Sequence, residues 1–501
     1  MIRRLLIANR GEIARRIQRA CRELGIQTVA VYSDADAAAP HVSEADRAIR
    51  IGPPPARDSY LNIEAILGAA KASGADAIHP GYGFLSERAA FARAVEDAGL
   101  TFVGPPASAL EAMGSKVGAR KLMTNAGVPV VPGETPGDQS DGSMTAAAHQ
   151  VGFPLLIKPA AGGGGIGMKA VRDASGLDDA LAAARREAKA SFGNDTLYIE
   201  RLIERPRHVE IQVFADNHGN TVHLFERECS AQRRHQKVIE ESPCAALSAS
   251  LRERMGAAAV TAAQAVGYRN AGTCEFLLEG EGDSARFYFL EMNTRLQVEH
   301  PVTEAVVGID LVHAQLRVAS GEPLPFSQDS LSQRGHAIEC RIYAEDPVQG
   351  FLPQAGLLLL YREPQGPGIR VDSGVTKGSE VSVHYDPMLS KLIVHAATRE
   401  EARRRAITAL RQYAILGIRT NIPFLMQLLE HPQFIDASID TEFLDREGAA
   451  IAEKMPQELP AAALMVLEAL RKNLVPRQND ATGTLGTSGT DPFEALRGWR
   501  G

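Results

Sequence analysis

Apolar residues recur along the chain at two alternating periods. Over Arg4–Asn9, Leu5, Leu6, Ile7 and Ala8 form an unbroken apolar run that predicts a short strand. Over 11–24, Ile13, Ile17, Ala20, Cys21 and Leu24 return at helical spacing, and Gly25 stands where a helix ends. Gln27–Ser33 predicts the next strand and Asp76–His79 another, before His79-Pro-Gly-Tyr-Gly83 breaks into a loop. This alternation predicts βαβ units, hence a parallel sheet with helices on its faces. The first strand-to-helix turn, Asn9-Arg10-Gly11-Glu12, carries one glycine and lacks the GxGxxG of a dinucleotide-binding fold.

Beyond residue 130 the pattern changes. Residues 133–150, with Gly133, Pro136, Gly137, Asp138 and Gly142, are polar and turn-rich, and predict a boundary. Phe153–Lys158 predicts a strand that runs into the glycine loop Gly162–Gly167. A helix over 178–191 and a strand over 197–203 complete a small α+β unit. Strands are expected at 208–214, 221–226, 273–279 and 286–293, with an antiparallel look, and more over 336–395. Helices are expected at 399–413, 421–430 and 460–474. Residues 476–490, rich in Gly, Thr and Ser, predict a disordered linker.

Lys plus Arg number 54 and Asp plus Glu 61. That acidic balance argues against a general nucleic-acid binder, which needs a basic face. The five cysteines, Cys21, Cys229, Cys244, Cys274 and Cys340, form no CxxC clip. They argue against a disulfide scaffold or a zinc ribbon and for a reducing compartment. No run of 18 apolar residues predicts a membrane span. The Arg-rich start resembles a transit peptide, but Glu12 inside a βα unit argues against a cleaved leader. A cytoplasmic protein is expected.

Three segments concentrate chemistry. Four consecutive glycines remove every Cβ, so backbone N–H groups can approach an anion. Lys158 precedes them, and the absence of a GK[ST] ending excludes a Walker A loop. In a continuous strand over Phe287–Glu299, Glu291, Asn293, Arg295, Gln297 and Glu299 share one face with Phe289, opposite Tyr288, Leu290 and Met292. Glu291 and Asn293, joined by Glu275, offer hard oxygen donors suited to Mg²⁺; the alternative is a solvated strand. Glu226–Lys237 is a cationic patch with Arg233, Arg234 and Lys237, either an anion pocket or a solvated face. His208, Glu210 and Gln212 give a further strand one polar face.

Taken together these segments resemble the biotin carboxylase family, the ATP-grasp component of biotin-dependent carboxylases. The resemblance runs from residue 1 to about 446. It rests on Ile7–Ala14, His79–Glu87, Gly114-Ser-Lys116, Gly162–Met168, His208–Gln212, Ser230–Lys237, Glu291–His300, Gly335–Glu345 and Tyr385–Met388, in the family's order. Ile166 departs from it, where many members carry Arg or Lys. The resemblance implies an α/β and α+β chain with the ATP-grasp fold. Its parts would be an N-terminal parallel α/β domain (1–115), a mobile glycine-loop lid region (116–203), a mixed or antiparallel catalytic domain (204–334), a C-terminal domain (335–446) and a helix with a flexible tail (447–501).

The implied reaction joins ATP, bicarbonate and carrier-bound biotin to give ADP, phosphate and N-carboxybiotin. By the same resemblance Lys116 and Lys158 hold ATP phosphates, and Gly163, Gly164 and Gly165 wrap them by backbone N–H. Glu200, Arg201 and Ile203 hold adenine. His208, Gln232 and His235 line the ribose and phosphate side, which Glu275 also borders. Glu275, Glu291 and Asn293 hold Mg²⁺ or Mn²⁺. Lys237, Arg295, Gln297 and Val298 hold bicarbonate, and Tyr82 joins the bicarbonate and biotin side. Glu299 takes the bicarbonate proton, and Arg341 stabilises the biotin enolate. A homodimer is implied, with Arg16 and its helix at the interface and Asp386 near Arg16. So are a separate or severed biotin carboxyl carrier and a carboxyltransferase. Gly167-Met-Lys-Ala170 and Glu453-Lys-Met455 are not the family's Ala-Met-Lys-Met biotinylation motif. The chain is therefore expected to carry no biotin, as a truncated or split α subunit. Alternatives are another bicarbonate-activating ATP-grasp ligase of the carbamoyl-phosphate type, or a catalytically dead scaffold.

Overall fold

A computed structural model describes residues 1–160, 167–234, 236–456 and 461–474. Met1–Gln457 form one compact unit and Glu458–Gly501 a second. In the second, Ala461–Leu474 is a helix with Leu464, Met465 and Val466 exposed. The predicted linker 476–490 lies outside the described residues.

Strands β1 (Arg4–Ile7), β2 (Gln27–Ser33), β3 (Arg47–Gly52), β4 (Ala77–His79) and β5 (Thr101–Phe102) pair in parallel in the order β3-β2-β1-β4-β5. Leu5 and Ile7 pack into one core and Leu6 and Ala8 into another, so β1 is buried on both faces as its apolar run demands. The strand order reverses between β1 and β4, the point at which open α/β sheets place their binding residues beyond the strands' carboxyl ends. The two loops meet at Asn9, whose Nδ2 donates to Pro80 O at 2.8 Å and Tyr82 O at 2.7 Å. Gly81 is required in that turn: its φ is +64°, and a Cβ there would meet the Asn9 side chain at 2.8 Å.

The small unit is a separate antiparallel sheet. Strands β6 (Gly133–Glu134), β7 (Leu155–Pro159), β8 (Lys169–Val171) and β9 (Leu197–Arg201) run in the order β6-β9-β7-β8. The turn-rich stretch 133–150 is not only a boundary: it contains the helix Asp141–Val151. Ser140 caps that helix, accepting from Ser143 N, and Met144, Ala147 and Ala148 bury its inner face. Polar turn residues outnumber the apolar ones here, which hid a helix whose buried face is narrow.

The third layer is an eight-stranded sheet. Strands β10 (Arg207–Ala215), β11 (Thr221–Arg233), β12 (Gln236–Ser242), β13 (Asn270–Glu279), β14 (Arg286–Asn293) and β15 (His336–Tyr343) join Met388–Ala396 and Ile369–Ser373. Their order is β14-β13-β10-β11-β12-β15, then Met388–Ala396, then Ile369–Ser373. Segments 204–334 and 335–446 meet in it through β12 and β15. Helix Ala249–Ala265 covers part of this sheet, and Arg399–Gln412 and Ile422–Leu429 cover another part. Among the described residues, no helix is long and apolar enough to cross a membrane.

Candidate active site

The single strand face expected to carry Glu291 through Glu299 is corrected in two ways. The β13–β14 register shifts between Glu275 and Phe276, pairing Glu275 with Glu291 but Phe276 with Phe289. This bulge lets Phe289 and Met292 share one core although their parities differ. Strand β14 then ends at Asn293, and Glu299 is the N-cap of the helix His300–Val307. Glu291, Asn293, Arg295, Gln297 and Glu299 are therefore gathered by a bulge, a loop and a helix start, not by one strand face.

Glu299 is 1% exposed and lies between two cations. Lys237 Nζ approaches its Oε1 at 2.6 Å and Arg341 Nη2 its Oε2 at 2.9 Å. Burial alone would raise its pKa, but Lys237, Arg341 and Arg227 outweigh that and hold the carboxyl well below the usual range. Lys237 Nζ also reaches Glu210 Oε2 at 2.6 Å and Glu275 Oε1 at 3.0 Å. These acids, with Cys229, overcome the burial that would discharge it. Glu275 further accepts from Asn293 Nδ2 at 2.7 Å and Gln297 Nε2 at 3.1 Å, and its Oε2 is 3.0 Å from His208 Nε2. Gln232 Nε2 lies 3.4 Å from His208 Nδ1. Arg295 donates to Gln297 Oε1 at 2.7 Å and Asn293 Oδ1 at 2.8 Å, and pairs with Glu87 at 3.1 Å.

Beside this cluster is a cavity of about 250 Å³ lined by Lys116, Lys158, Glu200, Glu291 and Asn293 among others. Lys158 pairs with Glu200. Burial lowers the Lys116 pKa, with Glu291 opposing. Glu291 is raised by burial and by the charge of Glu275, which Lys116 only partly offsets. The Arg201 side chain is drawn off to Glu279, at 2.9 and 2.8 Å, and to Tyr288. Ile203 packs with Val131 and Tyr288. The side chains of Arg201 and Ile203 thus do not line the cavity. Gly163, Gly164, Gly165 and His235 lie outside the described residues.

Several residues here were given no role from the sequence. Glu210 is buried between Lys237 and Arg227, which it meets at 2.6 Å. Lys391 is fully buried and donates to Val298 O at 2.6 Å, 3.3 Å from Glu12 Oε1. Glu12 in turn accepts from the Tyr82 hydroxyl. The signal available was charge inside apolar strands: Lys391 sits within Leu389–Ala396. Arg16, expected at a subunit interface near Asp386, is instead 1% exposed within the chain, 2.8 Å from Glu304 and 2.7 Å from Asp310.

Three family profiles match in succession: biotin carboxylase, N-terminal domain, over residues 1–110; the ATP-binding domain of the carbamoyl-phosphate synthase L chain over 115–327; and the biotin carboxylase C-terminal domain over 339–446. A biotin carboxylase of Halalkalibacterium halodurans is 51% identical over 444 residues, covering 89% of this chain and 97% of that protein. The chain belongs to the biotin carboxylase family. Its fold is that of the family's ATP-grasp members. The biotin carboxylase domain dimer of Hydrogenobacter thermophilus 2-oxoglutarate carboxylase, solved with MgADP, ADP and bicarbonate, superposes with a TM-score of 0.85 at 44% identity, covering 90% of this chain and 99% of that one. The mitochondrial methylcrotonoyl-CoA carboxylase subunit alpha of Arabidopsis thaliana is 51% identical over 94% of this chain. This chain spans only 64% of that longer biotin carboxylase relative.

Proposed function

We propose that the chain carboxylates biotin borne on a separate or severed carrier, using ATP and bicarbonate through carboxyphosphate, as the first half-reaction of an acyl-CoA carboxylase. The observation that carries this reading is the buried Glu299 carboxylate set between Lys237 and Arg341. So held, Glu299 is charged and a weak base. Bicarbonate is an anion that competes for Lys237 and Arg295. Drawing Lys237 away raises the basicity of Glu299 as the substrate arrives. Glu299 then takes the bicarbonate proton, the freed oxygen attacks the γ-phosphorus, and ADP leaves. Gln297 and the Val298 backbone, which Lys391 holds, would orient bicarbonate. Arg341 would stabilise the enolate of biotin, with Tyr82 on the same side.

On the ATP side, Lys116 and Lys158 would hold phosphates, Lys158 exchanging Glu200 for them. Glu200, Arg201 and Ile203 would flank adenine, the last two by backbone. His208 and Gln232, with His235, would border the ribose. The paired Glu275 and Glu291, whose repulsion Lys116 leaves partly unrelieved, suit a divalent cation. With Asn293 they would hold Mg²⁺ or Mn²⁺, which neutralises charge on the phosphates. The small sheet 133–201 would be the lid that keeps water from carboxyphosphate. We divide the chain accordingly at 115, 203, 334 and 446. A homodimer, a separate carrier and carboxyltransferase, and a cytoplasmic location complete the reading. The five free, buried cysteines fit a reducing compartment.

The profile over 115–327 also favours a second reading, a carbamoyl-phosphate-type ligase. One assay separates them: ADP release with and without bicarbonate and free biotin. Release that needs bicarbonate and rises with biotin is expected. Release that needs bicarbonate but ignores biotin would favour the second reading, and release indifferent to bicarbonate would exclude both.

A further inference from the structure

Behind Arg341 lies a second acid that the reaction above leaves without a role. Glu240 on β12 is fully buried and pairs in register with Glu339 on β15. Its Oε1 accepts from Arg341 Nε at 2.5 Å and lies 2.5 Å from Nη2. The same Nη2 is 2.9 Å from Glu299 Oε2. One guanidinium therefore bridges the base and Glu240. Glu240 Oε2 and both carboxyl oxygens of Glu339 are buried without a hydrogen-bond partner.

The groups facing Glu240 come from every neighbouring element. Lys237 is on its own strand, and Arg341, Glu339 and Cys340 are on β15. Cys229 is on β11, and Glu299 caps the helix His300–Val307. That helix turns His300 and Glu304 away toward the Gln297 carbonyl, Arg16 and Arg370. Lys391, on Met388–Ala396, is spent on Val298 O and Glu12. Burial pushes the Glu240 carboxyl up to about 7, with Arg341 opposing and Glu299 adding to the rise. Glu339 is pushed well above its ordinary value, chiefly by burial, with Lys391 opposing.

We propose that Glu240 is the positioning residue of Arg341: its carboxylate holds the guanidinium for biotin, and its neutral form surrenders the guanidinium to Glu299. The inference rests on the reading of Arg341 as the group that faces biotin. A guanidinium shared by two carboxylates is committed to neither. Once Glu240 takes a proton, the whole charge of Arg341 falls on Glu299. That pairing ties up the base and withdraws the cation that the biotin enolate needs. The biotin-dependent step should therefore slow on the acid side through a single ionisation near neutrality. ATP binding should not respond, because Glu240 does not line the nucleotide cavity.

The test is kcat/KM for biotin against pH, at saturating bicarbonate corrected for its own ionisation. Wild type should show the acid limb. In Glu240→Gln the amide oxygen still accepts from Arg341 but cannot titrate. We expect that variant to lose the limb and run roughly 10- to 100-fold slower, the effect of weakening a buried charged hydrogen bond. The affinity for ATP should be unchanged. Glu240→Asp, which still ionises, should keep the limb and decides the matter if the amide variant does not fold. A limb that persists in Glu240→Gln, or vanishes in Glu240→Asp, overturns this inference alone. Wild-type ATP cleavage that biotin fails to stimulate overturns the reading of the site and this inference with it.

Discussion

A carboxylate held between an ammonium at 2.6 Å and a guanidinium at 2.9 Å is a poor base until something moves. Glu299 is such a group, and on the proposed reading bicarbonate is the anion that moves its partners. Replacing it tests this directly. Glu299→Gln keeps the shape and one hydrogen bond but cannot accept a proton. Bicarbonate-dependent ATP cleavage should fall by ~10²–10⁴-fold, the usual worth of a general base. ATP binding measured by calorimetry should survive, since Glu299 does not line the cavity that holds Lys116 and Lys158. Activity within a few-fold of wild type would remove Glu299 from the role of base. Residues on this scale were legible where they fell in one short segment, as Glu291, Asn293, Arg295, Gln297 and Glu299 do. Residues whose meaning lies in a distant partner were not. Glu12 looked like the acid of an ordinary first helix turn, yet it holds Tyr82, 70 positions on, and stands beside Lys391. Glu240 reads as one of two adjacent acids in Glu240-Glu241, and only the fold separates them.

On the scale of elements, that adjacent pair shows what strand alternation does with two like residues. Glu240 faces Arg341, while Glu241 faces His336 on β15 at 2.7 Å and Arg399, at the start of a helix, at 2.7 Å. Glu241 thus ties β12, β15 and the helix Arg399–Gln412 together. Burial would raise its pKa, but the bonds from His336 and Arg399 outweigh that and bring it to about 2. A folded value below the unfolded one contributes stability above the unfolded value and loses it as pH falls through about 2. Glu241→Gln should then destabilise the chain by about 3 kcal/mol at neutral pH, the worth of holding a buried carboxyl from its ordinary value down to about 2. The difference from wild type should narrow as the pH is lowered through the acid range. Denaturant unfolding at a series of pH values checks both, and a difference that does not change with pH would refute the ion-pair account. The strands and helices themselves were largely readable, since their apolar periods carry through, and Gln27–Ser33 and β14 fall where expected. The bulge between Phe289 and Glu291 was not readable, because it is imposed by the partner strand. The helix Asp141–Val151 was missed because capping residues and glycines masked a narrow apolar face.

At the scale of the whole molecule, the parallel sheet, the small sheet and the eight-stranded sheet bring Tyr82, Lys158 and Glu299 to neighbouring parts of one compact unit. Neither of the two segments most like a biotinylation motif supplies the hairpin lysine that a swinging biotin arm requires. Lys169, in the segment most like a biotinylation motif, is locked in β8, with its ammonium 2.6 Å from Glu187 on the helix Leu177–Phe192. Lys454 directly follows the helix Phe443–Glu453 and stands in no hairpin. Attaching biotin at Lys169 would break an ion pair and part of a strand pairing, and attaching it at Lys454 would place it at a helix end. The purified chain is therefore expected to be free of biotin. It should accept free biotin weakly and biotin on a docked carrier much better, because docking raises the effective concentration of the ring at the site. A streptavidin blot of the intact 53.8 kDa chain decides the first point, and a labelled band would show that one of its own lysines is the carrier. Turnover compared between free biotin and a biotinylated carrier domain at equal biotin concentration decides the second, and equal rates would mean that the site makes no use of a docked carrier.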